Sequence, residues 1–167
     1  MDPDLAFEVW SGERQQCIEN VLAGALSPQA GIPVPLIDAM RHAVLDGGKR
    51  MRPLLAYAAG EWAGADPAVV DAPAAALEMM HAYSLVHDDM PCMDNDVLRR
   101  GKPTVHVRYG EAQAMLAGDA MQALAFEVLT PDTGMAPALQ ARLVALLARA
   151  AGHAGMAGGQ AVDLASV

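Results

Sequence analysis

The sequence predicts an all-α fold, and three observations carry that expectation. Residues are 53% hydrophobic but only 4% aromatic, so Ala, Leu, Val and Met supply the apolar surface. Ala, Leu and Met favour helices, while the β-branched and aromatic strand formers are sparse. Apolar residues recur at helical spacing between breaks rich in Pro and Gly. No strand pattern of useful length is found apart from the short TVHVRY at 104–109. A chain of 167 residues is long enough for one domain with a sizeable core.

Asp4 is placed to cap a first helix running to about Ala25, with Leu5, Val9, Cys17, Val21 and Leu22 on its buried side. Ser27-Pro28 and Gly31-Ile32-Pro33 end it. A second helix is expected from about Pro35 to Leu45, stopping at Gly47-Gly48. Pro53 suits the first turn of a third, LLAYAAGEWAG. Asp66-Pro67 opens the longest periodic stretch, about Ala68 to Asp89. A loop follows through Tyr109-Gly110, then helices near Glu111 to Leu129 and Pro137 to Ala151. Most connections are short, and there are no internal repeats.

The net charge of -9 argues against nucleic-acid binding, which calls for a basic face. It also disfavours an anionic ligand unless metal ions invert the local field. The N-terminal MDPDLAFEVW has neither the basic nor the apolar region of a signal peptide. No charge-free apolar run approaches the ~18 residues of a membrane span. Cys17 and Cys92 make no disulfide framework. A soluble, cytoplasmic protein is expected.

The densest chemistry lies in HDDMPCMDNDVLRRGKP, residues 87–103. Carboxylates crowd at Asp88, Asp89, Asp94 and Asp96, and cations follow at once in Arg99, Arg100 and Lys102. Crowded carboxylates want a cation between them, and clustered arginines want phosphate or carboxylate. His81 and Asp88 are seven residues apart and share a helix face. Met90 precedes Pro91, so the helix should end there, letting Asp94 fold back toward Asp88. Three carboxylates would then converge as oxygen ligands for Mg²⁺. Taken alone, Asp88-Asp89 reads most simply as a solvated acidic loop. Bare carboxylates are disfavoured at a helix C-terminus, and with the arginine pair following, the metal and phosphate reading prevails.

Gly47-Gly48-Lys49-Arg50-Met51-Arg52 leads into a helix start, a place that favours anions, and Lys49 and Arg52 can point to one side. In isolation the same residues make an ordinary C-cap with solvated basic neighbours. His81 is open between a core role and a site role. Ser84 and Cys92 have no partner pattern for nucleophilic catalysis, and Met79, Met80, Met90 and Met93 suit core or pocket lining.

GGKRMRPLL at 47–55 and the run from Glu78 to Phe126, with HAYSLVHDD, a DDxxxxD aspartate motif, RRG and GDA in order, resemble the N-terminal half of a trans-prenyltransferase. The closest resemblance is to the bacterial farnesyl diphosphate synthase (geranyltranstransferase) type, from about residue 36 to the C-terminus. It implies the N-terminal part of the isoprenoid synthase helical bundle, built around a deep hydrophobic cavity and commonly homodimeric. It implies a transferase of isoprenoid biosynthesis, with Asp88, Asp94 and Asp89 holding Mg²⁺ at an allylic diphosphate. Arg99 would contact that diphosphate. Lys49, Arg52, His81 and Arg100 would bind the diphosphate of isopentenyl diphosphate. Tyr83, five residues before Asp88, would floor the chain pocket and limit product length. Pro91-Cys92 resembles an insertion of many bacterial members.

The resemblance also implies a longer protein. Family members are roughly twice this size, at the upper end of what one core supports, and carry a second aspartate-rich motif. Gly158-Gly159-Gln160-Ala161-Val162-Asp163 resembles their mid-chain GGQ segment. Residues 1–167 are therefore expected to be a partial all-helical prenyltransferase domain, lacking the C-terminal half. Alone it is expected to have little or no synthase activity. Two alternatives stand beside this. One is a non-catalytic subunit that completes a partner synthase. The other is a His-Asp type metal phosphohydrolase using His87-Asp88, which leaves Arg99-Arg100 and GGKRMR unexplained.

Overall fold

The computed structural model describes residues 3–45, 47–132 and 134–166. Eight helices run through them: α1 (Pro3–Ala25), α2 (Val34–Val44), α3 (Met51–Trp62), α4 (Pro67–Asp88), α5 (Val105–Tyr109), α6 (Glu111–Glu127), α7 (Pro137–Ala151) and α8 (Met156–Leu164). A two-stranded hairpin, β1 (Leu98–Arg99) and β2 (Lys102–Pro103), lies between α4 and α5. Among the described residues no helix is long and apolar enough to cross a membrane.

α4 is the axis of the molecule. Asp66 caps it by accepting from the Ala68 amide at 3.0 Å, and Pro67 occupies its first turn. Its buried residues surround the helix, from Val70 through Ala74, Ala75, Ala76, Met79, Met80, Ala82, Tyr83 and Val86. A helix apolar all round belongs at the centre of a core. It packs chiefly against α6 and α3. On α6 the buried positions are Ala114, Ala117, Gly118, Met121 and Ala125, a stripe at helical spacing made mostly of small side chains. Such a stripe lets two helices approach closely.

Three expectations are corrected. The buried side of α1 is Ile18 and Leu22, continued by Leu26, whereas Leu5 and Val9 are 54% and 53% exposed. The N-terminal half of α1 is held instead by polar contacts, with Trp10 and Arg14 both donating to Glu61 of α3. Asp4 lies inside the first turn of α1. The TVHVRY segment is helical: Thr104 precedes α5, which packs against α6 and α2. Its valines suggested a strand, but a segment this short takes the conformation its tertiary neighbours favour. Finally, α8 had no visible sequence pattern, because Gly158 and Gly159 sit within it and glycine weakens a helix signal.

Candidate active site

The C-terminal end of α4 builds the acidic part of the site. Pro91 stops the helix, and the chain turns back on itself. The Met93 and Asn95 amides donate to the Met90 carbonyl, and the Asp94 amide donates to the Asp88 carbonyl at 2.9 Å. Asn95 takes the left-handed conformation (φ 55) that asparagine tolerates in tight turns. Asp94 is thereby brought back beside Asp88. Burial and the charge of Asp94 push the Asp88 carboxyl above its ordinary range, and Arg99 opposes the shift. The Gln160 amide of α8 donates to Asp88 at 2.6 Å.

Asp89 does not join this pair. It is 3% exposed, and Arg99 grips it as a fork, with Nε 2.8 Å from Oδ1 and 3.0 Å from Oδ2. Nη2 of Arg99 also bonds Asp89 and lies 3.7 Å from Asp96. In this structure Asp94 is brought beside Asp88, and Asp89 is engaged by Arg99. Among the described residues no three His, Cys, Asp or Glu side chains are grouped as a metal would need. A buried carboxylate needs a fixed countercharge, and Arg99 supplies one to Asp89.

The hairpin carries both arginines. Its register pairs Leu98 with Pro103 and Arg99 with Lys102, leaving Arg100-Gly101 as a two-residue turn with positive φ at both positions (53 and 78). That is the I′ geometry matched to strand twist. One arginine therefore faces the end of α4, and the next reaches the 47–52 loop, where Nη1 donates to the Gly47 carbonyl at 3.1 Å. Gly48 lies directly against the Arg100 guanidinium, and its φ of 119 is one that residues other than glycine rarely adopt. The hairpin is held from behind by His42, whose Nε2 is 2.8 Å from the Pro103 carbonyl.

Beyond the turn, Lys49, Arg52, His81 and Arg100 line one open pocket, floored by Arg50 and Glu78. Four residues selected from three separate stretches of sequence meet there. Burial, then the Arg52 charge, lowers the His81 pKa from its ordinary value, so the imidazole is neutral at neutral pH.

A second, mostly apolar pocket starts at Asp88 and is lined by Tyr83, Ser84, His87, Met93, Met156 and Leu164, among others. Tyr83 is buried in its wall, edge-on to the His87 ring at 5.7 Å. His87 Nε2 is 3.1 Å from the Met115 carbonyl of α6.

Sequence reasoning missed Gln160 as a partner of Asp88, and it missed the roles of Arg50, Glu78 and His87. The GGQ segment pointed to Gln160 only by resemblance. Nothing local separates Arg50 from Lys49 and Arg52. The available signal was Glu78, an acidic residue on the apolar face of α4 that needed a cation.

Comparison with known proteins converges on one family. The polyprenyl synthetase family model matches residues 34–167. A farnesyl diphosphate synthase of Escherichia coli K12 is 54% identical over 157 residues, covering 90% of this chain and 52% of the relative. One from Geobacillus stearothermophilus is 46% identical over 162 residues, covering 96% and 54%. A crystal structure of an FPP/GFPP synthase from Zymomonas mobilis superposes with a TM-score of 0.92 at 44% identity, over 96% of this chain and 58% of that one. The chain spans about half the length of the curated relatives it matches. Matched by the family model over residues 34–167 and built on the helical fold of a solved synthase, the chain belongs to the polyprenyl synthetase family.

Proposed function

We propose that this protein condenses isopentenyl diphosphate with an allylic diphosphate, dimethylallyl or geranyl, to give farnesyl diphosphate. The observation that carries the reading is the pair of neighbouring arginines at the hairpin, of which Arg99 is held at the end of α4 by Asp89 and Arg100 lines the basic pocket with Lys49, Arg52 and His81. Asp88, next in sequence to the aspartate that Arg99 grips, lines the mostly apolar pocket, while Arg100 stands in the basic one. Two diphosphates, one with a hydrocarbon tail to bury, fit that arrangement.

Asp88 and Asp94 fit Mg²⁺: two oxygen donors at a partly buried helix end, where the charge of one suppresses the acidity of the other. Asp88 and Asp94, with Asp89 beside them, would hold Mg²⁺, which when bound would supply positive charge against the negative charge that develops on a departing diphosphate. Asp89 orients Arg99 through Nε and Nη2, which leaves Nη1 outside the pair to meet the same diphosphate. Lys49, Arg52, His81 and Arg100 hold the second diphosphate, fixing its double bond toward the forming cation. Tyr83 bounds the apolar pocket and limits the product to about fifteen carbons, as the resemblance implies. The remaining elements of the reading are a cytoplasmic location and a homodimeric assembly, in which residues 1–167 form the N-terminal part of a prenyltransferase domain.

Calorimetric titration of the purified chain tests this. Geranyl diphosphate should bind in a Mg²⁺-dependent manner, and Asp88→Asn or Asp94→Asn should remove that dependence. Lys49→Ala should weaken isopentenyl diphosphate by about tenfold or more, the worth of one charge-assisted contact. Full Mg²⁺ dependence in both aspartate variants would refute the assignment.

A further inference from the structure

Arg50 sits between two residues of the basic pocket, yet its guanidinium turns inward and its side chain is 2% exposed. All three guanidinium nitrogens are engaged. Nε donates to Glu19 of α1 at 2.7 Å, Nη1 to Glu78 of α4 at 2.7 Å, and Nη2 to the Val44 carbonyl at the end of α2 at 2.7 Å. One side chain thus ties three helices together at the start of a fourth. Its backbone is left-handed, with φ 48 and ψ 35. A residue other than Gly or Asn holds that conformation only where its surroundings over-determine it.

The consequence lies on either side of Arg50. Lys49 and Arg52 are both exposed, and both line the same pocket. Glu78 precedes His81 by three residues on α4, so the ion pair links the loop to the helix face that carries His81. Arg50 adds little to the field of the pocket, because Glu19 and Glu78 already outweigh its charge. It also offsets the Glu78 carboxylate, which would otherwise face an incoming anion from below.

We infer that the Glu19–Arg50–Glu78 set is a positioning device: it locks the 48–52 loop to α4 so that Lys49, Arg52 and His81 stand ready for one diphosphate. This rests on reading the basic pocket as a diphosphate site. Arg50, Glu19 and Glu78 act as positioning residues, since the Arg50 guanidinium is fully engaged by Glu19, Glu78 and the Val44 carbonyl and has no donor nitrogen left for an anion.

Glu78→Met gives a test in which two explanations differ in sign. It removes a negative charge beneath the bound anion, so electrostatics alone would tighten binding. Loss of positioning would loosen it. With inorganic pyrophosphate as the probe and calorimetry on the full chain, E78M should raise the Kd about tenfold or more. E78Q, which keeps a carbonyl acceptor for Arg50, should recover most of the affinity. Melting curves show whether each variant is folded; if E78M is not, R50M/E78M removes both buried charges together and should bind as weakly. Wild-type or tighter binding by folded E78M, or by folded R50M/E78M, overturns the inference. Lys49→Ala separates the two readings. If it abolishes wild-type pyrophosphate binding while E78M does not weaken it, only the positioning role falls. If the wild-type chain does not bind pyrophosphate at all, the site reading falls and takes this inference with it.

Discussion

Asp89 and Arg99 show how one residue's partner decides its role. Adjacent aspartates look equivalent in sequence, yet Asp88 accepts from Gln160 and repels Asp94, while Asp89 is buried against Arg99. His81 gives a pH prediction. Its folded pKa lies below the ordinary 6.5, so its contribution to stability is present above about that pH and is lost as pH falls through the folded value. A diphosphate in the pocket would offset Arg52 and Arg100 and raise that pKa. Binding should therefore take up a proton and tighten as pH falls from about 7.5 toward 6. Calorimetry in two buffers of different ionisation enthalpy reads the uptake, and equal uptake by His81→Gln would remove His81 as its source. Tyr83 closes the apolar pocket beside His87. If the proposed prenyl transfer holds, Tyr83→Ala in an active enzyme should lengthen the product; an unchanged chromatographic profile would exclude that role.

At the scale of elements, the site depends on how closely α6 approaches α4. Gly118 abuts the His87 ring, and a β-carbon there would overlap the imidazole. His87 is hemmed in by Tyr83 and by the Met115 carbonyl, so it cannot simply swing away. Gly118→Ala should therefore destabilise the chain by about 1–3 kcal/mol, the usual cost of overpacking. It should also weaken Mg²⁺-dependent binding, because His87 directly precedes Asp88. Wild-type melting by calorimetry would contradict this packing argument. α4 and α6 were legible because each buries residues over several turns. The hairpin, α5 and α8 were not: β1 and β2 are two residues each and α5 is five, too short to show a period, and α8 is masked by its own glycines.

Over the whole molecule, a chain of net charge -9 gathers several of its cations at the hairpin and the 47–52 loop. Lys49, Arg52, Arg99 and Arg100, brought together near the end of α4, are four of the chain's 11 Lys and Arg residues. Local placement outweighs net charge within a screening length of about 8–10 Å. The Glu19–Arg50–Glu78 set and the His42 contact to Pro103 tie this basic region to α1, α2 and α4. Site geometry and core packing are thus the same set of contacts here.

The amino-acid sequence by itself determined the helical class, the long helix from about Ala68 to Asp89, and the clustered acidic and basic stretches that follow it. Each of these follows from spacing, from Pro and Gly placement, or from charge, which act within a few residues along the chain. Only the tertiary structure decided which charges pair. It buried Asp89 against Arg99, turned Arg50 inward while Lys49 and Arg52 face out, and brought Gln160 to Asp88 across 72 residues. Those choices depend on burial and on distances between helices remote in sequence, which no local pattern encodes.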